Sequence, residues 1–155
     1  MNRKFMREAI RLSIQKMRRG QGGPFGAVVV RDGKIVGRGS NQVTSANDPT
    51  AHAEIVAIRE ACKRLKTFHL DDCDLYTSCE PCPMCLSAIY WARLRNVFYA
   101  NTRKDAARIN FDDDCIYREV ALPIGKRKLR MKQLLRKEAL AAFAEWERKP
   151  DKILY

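Results

Sequence analysis

The sequence has no apolar run long enough to cross a lipid bilayer, and its start, MNRKFMREAI, lacks the apolar stretch of a secretory signal. Both absences argue against a membrane-spanning or exported protein and favour a cytoplasmic one. Without an export signal, the six cysteines are not expected to form a disulfide framework. We therefore expect reduced thiols, apart from any that bind a metal.

The length and composition predict one domain over residues 1–155. A chain of this size buries a core without help from disulfides. Hydrophobic residues make up 46% and charged residues 31% of the chain, the balance of a soluble globular protein. The sequence contains no internal repeat, low-complexity tract or linker.

The net charge is +12, and a basic surface attracts polyanions such as nucleic acid. The excess is concentrated near the two ends of the chain. It consists of Arg3, Lys4, Arg7, Arg11, Lys16, Arg18 and Arg19, and of Lys126, Arg127, Lys128, Arg130, Lys132, Arg136 and Lys137. Most of these fit the solvated faces of amphipathic segments, so charge alone does not establish an RNA partner.

Hydrophobic periodicity and turn residues predict alternating helices and strands. The expected elements are a helix over 3–19, a hairpin of 27–30 and 34–39 around Asp32-Gly33, a helix over 51–64, a strand at 75–78, a helix over 82–93, a strand at 96–100 and a helix over 133–146. This order predicts an α/β fold, with a mixed sheet that has helices on both faces.

Two segments carry metal-ligand chemistry. His52 and the pair Cys82 and Cys85 each fall at the predicted start of a helix, where the helix dipole favours thiolates. Two thiolates and one imidazole leave a tetrahedral position open for water, as hydrolytic zinc requires. A structural zinc site would need a fourth protein ligand, and nothing places the other histidine, His69, near this cluster.

Glu54 follows the predicted ligand His52 by two residues, which puts a carboxylate beside the open position without coordinating the metal. A carboxylate there can accept a proton from water and return it to a ring nitrogen and then to a leaving amine. The pattern H-x-E, followed by P-C-x-x-C, is the signature of zinc-dependent nucleobase deaminases. A lone histidine or a lone C-x-x-C would be weak evidence, but the ordered combination predicts a catalytic zinc.

Longer segments resemble one family within the cytidine deaminase superfamily, the bacterial guanine deaminases, over nearly the whole chain. The resemblance rests on GGPFGAV at 22–28, NDPTAHAE at 47–54, SCEPCPMC at 78–85, FDDDCIYRE at 111–119 and the terminal Tyr155. It implies a three-layer α/β/α sandwich with a mixed central sheet. It also implies zinc-dependent hydrolysis of guanine to xanthine and ammonia in purine catabolism or salvage.

The same resemblance implies a homodimer that exchanges C-terminal segments, here about 125–155, and it assigns further site residues. Asn41 and Asp113 should hydrogen-bond the purine, Glu119 should relay protons near the leaving amine, and Tyr155 should help to close the pocket. Phe25 and Trp91 are candidates for packing against the ring. Each has a plainer interpretation: Asn41 caps a turn, residues 112–114 are a solvated acidic loop, and the two aromatic residues belong to the core.

Three other functions remain open. A tRNA adenosine deaminase shares the zinc motif and fits the basic charge, but the acidic segment 111–119 is poorly suited to a phosphate backbone. The basic stretch 126–132 fits a free-base enzyme without being required by it. A deaminase of cytosine or another small heterocycle comes third. Against a non-catalytic zinc-binding module stands Glu54, because a structural site needs no carboxylate at its metal.

Overall fold

The structure, a computed structural model, describes residues 1–154 and divides into two compact units, residues 1–113 and residues from Asp114 onward. The helices and strands of the first unit are α1 (Arg3–Arg18), β1 (Gly26–Arg31), β2 (Lys34–Ser40), α2 (Val43–Ala46), α3 (Ala53–Leu65), β3 (Asp74–Cys79), α4 (Pro83–Trp91), β4 (Asn96–Asn101) and α5 (Arg103–Ala107). The predicted long helices and all four strands of this unit are therefore present. Whether residues 1–155 act as a single domain stays a prediction.

The four strands form one sheet in the order β2-β1-β3-β4. Strand β1 runs antiparallel to β2 and β3, whereas β4 runs parallel to β3, so the predicted mixed sheet is confirmed. Asp32 and Gly33 close the hairpin with φ of 48° and 71°. Positive φ at both central residues is the type I′ pattern, which follows the twist of the strands.

Helices cover both faces of the sheet, which confirms the three-layer sandwich. Phe5 and Leu12 of α1 pack on one face, against Val28 and Tyr76. The other face carries α3 and α4, and its buried core includes Ala27, Val29, Ala53, Ala57, Leu75 and Ile89. Alternate residues of β1 and β3 thus serve opposite layers, as the pleat of a strand requires.

Helix α3 lies unusually close to strand β2, because glycines on the strand face the helix backbone. A Cβ on Gly39 would lie 1.9 Å from the carbonyl oxygen of Ala53, and one on Gly37 would lie 2.2 Å from that of Ala57. No larger residue fits at either position without moving the helix. This contact fixes the first turn of α3, which carries Glu54.

Three short helices were not expected from periodicity. Helix α2 has four residues and ends at Asn47 in the left-handed conformation. Helix α5 begins with a capping box between Thr102 and Asp105, a signal present in the sequence. The third, α6 (Asp114–Ala121), begins within the segment whose acidic residues could also form a loop.

The second unit contains α6, a 3₁₀ turn (Ile124–Lys126) and α7 (Arg136–Arg148). None of residues 114–154 is buried. Several large apolar side chains of the two helices are exposed: Ile116, Val120, Leu140, Phe143 and Trp146. Within residues 1–154, no helix has both the length and the apolar character needed to span a membrane.

Candidate metal centre

Two helix N-termini present the predicted metal ligands. His52 is the N-cap of α3 and Cys82 is the N-cap of α4, both with extended backbone, and Cys85 lies in the first turn of α4. Pro83 at the first helical position favours the start of α4, because proline has no amide hydrogen to leave unpaired. Neither residue makes the side-chain capping hydrogen bond that is common at a helix start, so the imidazole and the sulfur are available to a metal.

The three side chains converge on one point. Nδ1 of His52 lies 3.6 Å from Sγ of Cys82 and 3.5 Å from Sγ of Cys85. All three donor atoms lie within 4.8 Å of one another. Tetrahedral zinc, with bonds of about 2.3 Å to sulfur and about 2.05 Å to nitrogen, would hold such N and S atoms about 3.5 Å apart. The donor set therefore fits a zinc ion with one position left for another ligand.

One ligand of the cluster, Cys82, has the charge state that a metal prefers, whereas the hydrogen bond to Cys82 and burial raise the pKa of Cys85. The pKa of Cys82 is lowered to about 4, because its sulfur accepts hydrogen bonds from the Cys85 thiol and from the His52 ring. The hydrogen bond to Cys82 in turn raises the pKa of His52. Cys82 is thus a thiolate at neutral pH, and a thiolate is the form of cysteine that binds metals.

Glu54 lies beside the cluster and is 6% exposed. Its Oε1 accepts a hydrogen bond from the Thr77 hydroxyl at 3.1 Å, and its Oε2 lies 3.5 Å from Sγ of Cys85. Burial raises the pKa of Glu54, because removal from water disfavours the charged carboxylate. A carboxyl group in this position can carry a proton close to the metal site.

Asn41 is 6% exposed and is held by backbone amides. Its Oδ1 accepts hydrogen bonds from the amides of Gly23 at 3.1 Å and Val43 at 3.3 Å. Among residues 1–154, no hydrogen bond uses its Nδ2, which leaves Asn41 as a donor. Gly22 permits this arrangement, since a Cβ there would lie 2.6 Å from Oδ1.

Phe25 and Asp113 are two further predicted site residues in the first unit. Phe25 is half-buried, and its ring meets that of Phe111 edge to face at 4.9 Å between centroids. The backbone carbonyl of Phe25 accepts a hydrogen bond from the Asn41 amide, so the two residues are neighbours. Burial, reinforced by the negative charge of Cys82, raises the pKa of Asp113. Asp113 therefore lies within electrostatic reach of the metal cluster.

Three other predicted site residues stay predictions. Trp91 is 68% exposed, and its position six residues after Cys85 puts it about 9 Å further along α4. Glu119 belongs to the second unit, where its Oε2 accepts a hydrogen bond from the Lys128 amide at 2.7 Å. Tyr155 lies outside the described residues.

Thr77 and Phe111 contact site residues but were not singled out individually from the sequence. The sequence offers one signal for Thr77, which is a hydroxyl on the core-facing side of the apolar strand LYTSC. The partner of that hydroxyl, Glu54, lies 23 residues earlier in the chain. Only the packing of α3 on the sheet reveals the contact.

Comparison with known proteins gives the family. Residues 1–101 match the cytidine and deoxycytidylate deaminase zinc-binding region. Guanine deaminase of Bacillus subtilis (strain 168) is 52% identical over 151 residues, which are 97% of each chain. The X-ray structure of guanine deaminase from Bacillus subtilis superposes with a TM-score of 0.97 and 51% identity, over 100% of this chain and 99% of that chain.

A tRNA-specific adenosine deaminase of Aquifex aeolicus (strain VF5) is also similar, with 41% identity over 96 residues. That match covers 62% of this chain and 63% of the relative. The shared part corresponds in length to the zinc-binding region, whereas the Bacillus subtilis enzyme matches almost from end to end. The chain therefore belongs to the cytidine and deoxycytidylate deaminase family, as a relative of the bacterial guanine deaminases.

Proposed function

We propose that this protein is a zinc-dependent aminohydrolase that converts guanine to xanthine and ammonia. The observation that carries the proposal is the extent of the similarity to guanine deaminase, 52% identity over 97% of both chains. The similarity to a tRNA-specific adenosine deaminase covers only 62% of this chain. The reaction belongs to cytoplasmic purine catabolism or salvage.

His52, Cys82 and Cys85 hold the zinc, as their spacing of 3.5 and 3.6 Å supports. A zinc ion with an open position lowers the pKa of a water molecule and so supplies a nucleophile at neutral pH. Glu54 accepts a proton from the attacking water and delivers it to a purine ring nitrogen. It then accepts a second proton from the hydroxyl group added to the carbon and delivers it to the departing amine. Its burial next to Cys85 keeps this proton exchange away from bulk water.

Asn41 and Asp113 distinguish guanine from other bases. The free Nδ2 of Asn41 donates to a carbonyl or ring acceptor of the base, and Asp113 accepts from its N–H groups. Adenine has no carbonyl group and presents a different edge to this pair. A buried polar site that is left unpaired by the wrong ring rejects it by several orders of magnitude. Phe25, backed by Phe111, provides an apolar surface for the purine.

The roles of the other predicted site residues follow from the family resemblance and require a homodimer. Glu119 relays protons near the leaving amine and Tyr155 closes the pocket, with residues from about 125 to 155 reaching the partner subunit and residues 1–155 acting as one domain. The exposed apolar side chains of α6 and α7 support such an assembly, because patches of this kind mark interaction surfaces. Packing of Trp91 against substrate is proposed only for the assembled dimer, since its side chain is exposed here.

A substrate panel tests the proposal. The purified protein is incubated with free bases, nucleosides and a tRNA anticodon stem-loop, and ammonia release is measured. We expect turnover of guanine and none of adenine, cytosine or the stem-loop. Editing of the stem-loop with guanine untouched would establish the tRNA adenosine deaminase, which the charge of +12 and the 41% identity favour as second candidate.

A further inference from the structure

Thr77 occupies a buried position in the middle of the sheet. Strand β3 is paired with a neighbouring strand on each side there, and Thr77 lies opposite Ala27 of β1 and Tyr99 of β4. Its side chain shares a face with Leu75, which belongs to the core beneath α3 and α4. Thr77 is 1% exposed, so its hydroxyl is removed from water and needs a partner within the protein.

That partner is Oε1 of Glu54, which accepts a hydrogen bond from the Thr77 hydroxyl at an O···O distance of 3.1 Å. The two residues come from different elements, since Thr77 lies on β3 and Glu54 in the first turn of α3. A β-branched side chain on a strand has little χ1 freedom. The sheet, rather than the helix, therefore sets where the hydroxyl stands.

A glutamate carboxylate needs such a partner to be oriented. The last torsion of a glutamate side chain is broad and roughly two-fold, so the backbone of α3 does not by itself fix the carboxylate plane. The other oxygen, Oε2, lies 3.5 Å from Sγ of Cys85, on the side of the metal ligands. A bond to Oε1 thus decides which oxygen faces that side.

We propose that Thr77 is a positioning residue for the reaction: its hydroxyl holds Oε1 of Glu54 so that Oε2 is the oxygen that exchanges protons. The inference rests on the proposed function, in which Glu54 transfers protons. The first proton leaves the attacking water for Oε2 and passes to the ring nitrogen as the oxygen bonds to carbon. The second leaves the hydroxyl group now on that carbon for Oε2 and passes to the amine as the C–N bond breaks and ammonia departs. The O–H bond of Thr77 stays intact throughout and only its hydrogen bond is used.

Three variants test this role by guanine turnover, zinc content and thermal unfolding. Thr77→Val keeps the shape and removes the hydroxyl, whereas Thr77→Ser keeps the hydroxyl. Ser78→Ala is the matched control, because Ser78 is also buried in β3 but its Oγ accepts from the Gly26 amide at 3.0 Å. Its hydroxyl makes no hydrogen bond to Glu54.

For Thr77→Val we expect kcat to fall about 10- to 100-fold, the range of one hydrogen bond to a charged group, with KM and zinc content unchanged. Thr77→Ser should stay within about threefold of wild-type kcat, since the lost methyl group does not touch the carboxylate interaction. Ser78→Ala should lower the unfolding temperature without lowering kcat. A purely structural threonine would show the reverse, with stability lost and kcat retained.

Wild-type kcat in Thr77→Val would overturn the proposal, and so would equal losses in the Val and Ser variants. If Thr77→Val does not fold, Thr77→Ala is measured in its place with the same expectation. Failure of the proposed function looks different: the wild-type protein itself would not turn over guanine. The variants would then be compared on whichever heterocycle the wild-type protein deaminates.

Discussion

Nδ1 of His52 lies 3.6 Å from Sγ of Cys82, although the two residues are thirty positions apart in the chain. Each residue is the N-cap of its helix, so the N-termini of the two helices lie close together. The pair needs no rearrangement to share a metal with Cys85.

The first prediction concerns this metal. The protein should purify with about one zinc per chain, and Cys82→Ala should lose it, because two protein ligands do not retain the ion. Elemental analysis measures the content. Cys62→Ala is the control, since Cys62 is a half-buried thiol of α3 outside the cluster. Full zinc retention in Cys82→Ala, or no zinc in the wild type, would refute the site.

The second prediction concerns Glu54→Gln. We expect kcat to fall about 10²- to 10⁴-fold, the usual contribution of a general acid–base group, with zinc retained. Burial raises the pKa of Glu54 above its ordinary value of 4.5. At a pH above 4.5 the carboxyl group therefore lowers the stability of the folded protein, because the unfolded chain ionises there more readily. The amide removes that cost, and stability at pH 7 should not decrease. Glu60→Gln, an exposed change on the same helix, should change neither kcat nor stability at pH 7.

The third prediction concerns the donor role of Asn41. Asn41→Asp keeps the oxygen that Gly23 and Val43 bind but replaces Nδ2 with an acceptor. We expect kcat/KM for guanine to fall about 10- to 100-fold, because a carboxylate oxygen then faces the acceptor group of the base that Nδ2 would bind. Asn2→Asp serves as the control, since the N-cap oxygen that Lys4 uses is preserved. Unchanged kcat/KM in Asn41→Asp would remove Asn41 from recognition.

The fourth prediction concerns Gly39→Ala. The added Cβ would lie 1.9 Å from the Ala53 carbonyl, between His52 and Glu54, so the start of α3 must shift. We expect a loss of about 1–3 kcal/mol in unfolding free energy together with a lower kcat. A Cβ on Gly125 would meet no atom of residues 1–154 within 4 Å, so Gly125→Ala should not change the unfolding free energy. A Gly39→Ala enzyme of normal stability would show that the helix does not depend on this close contact.

The fifth prediction concerns the terminus. Deleting residues 153–155 should reduce activity much more than stability, because a chain end adds little to a core while a lid completes a pocket. If closure occurs between subunits, mixing this deletion with the Glu54→Gln chain should restore partial activity. Each mixed dimer combines an intact Glu54 with an intact tail. Exchange of subunits without recovery would mean that each tail serves its own active site.

The local sequence determined the long elements and the metal chemistry. Periodicity marks α1 and α3, Asp32-Gly33 requires the hairpin turn, and Cys82 and Cys85 stand three residues apart at a helix start. Each of these signals acts within a few residues, which is why the chain reveals them without its fold. The family resemblance extended this to the three-layer sandwich.

Only the tertiary structure decided which side chains meet. Thr77 reaches Glu54 because α3 packs across β3, and the exposure of Trp91 follows from the length and placement of α4. Gly39 and Ala53 come within touching distance through backbone packing that no periodicity encodes. Contacts of this kind depend on how layers are stacked, and stacking is a property of the folded core rather than of any short segment.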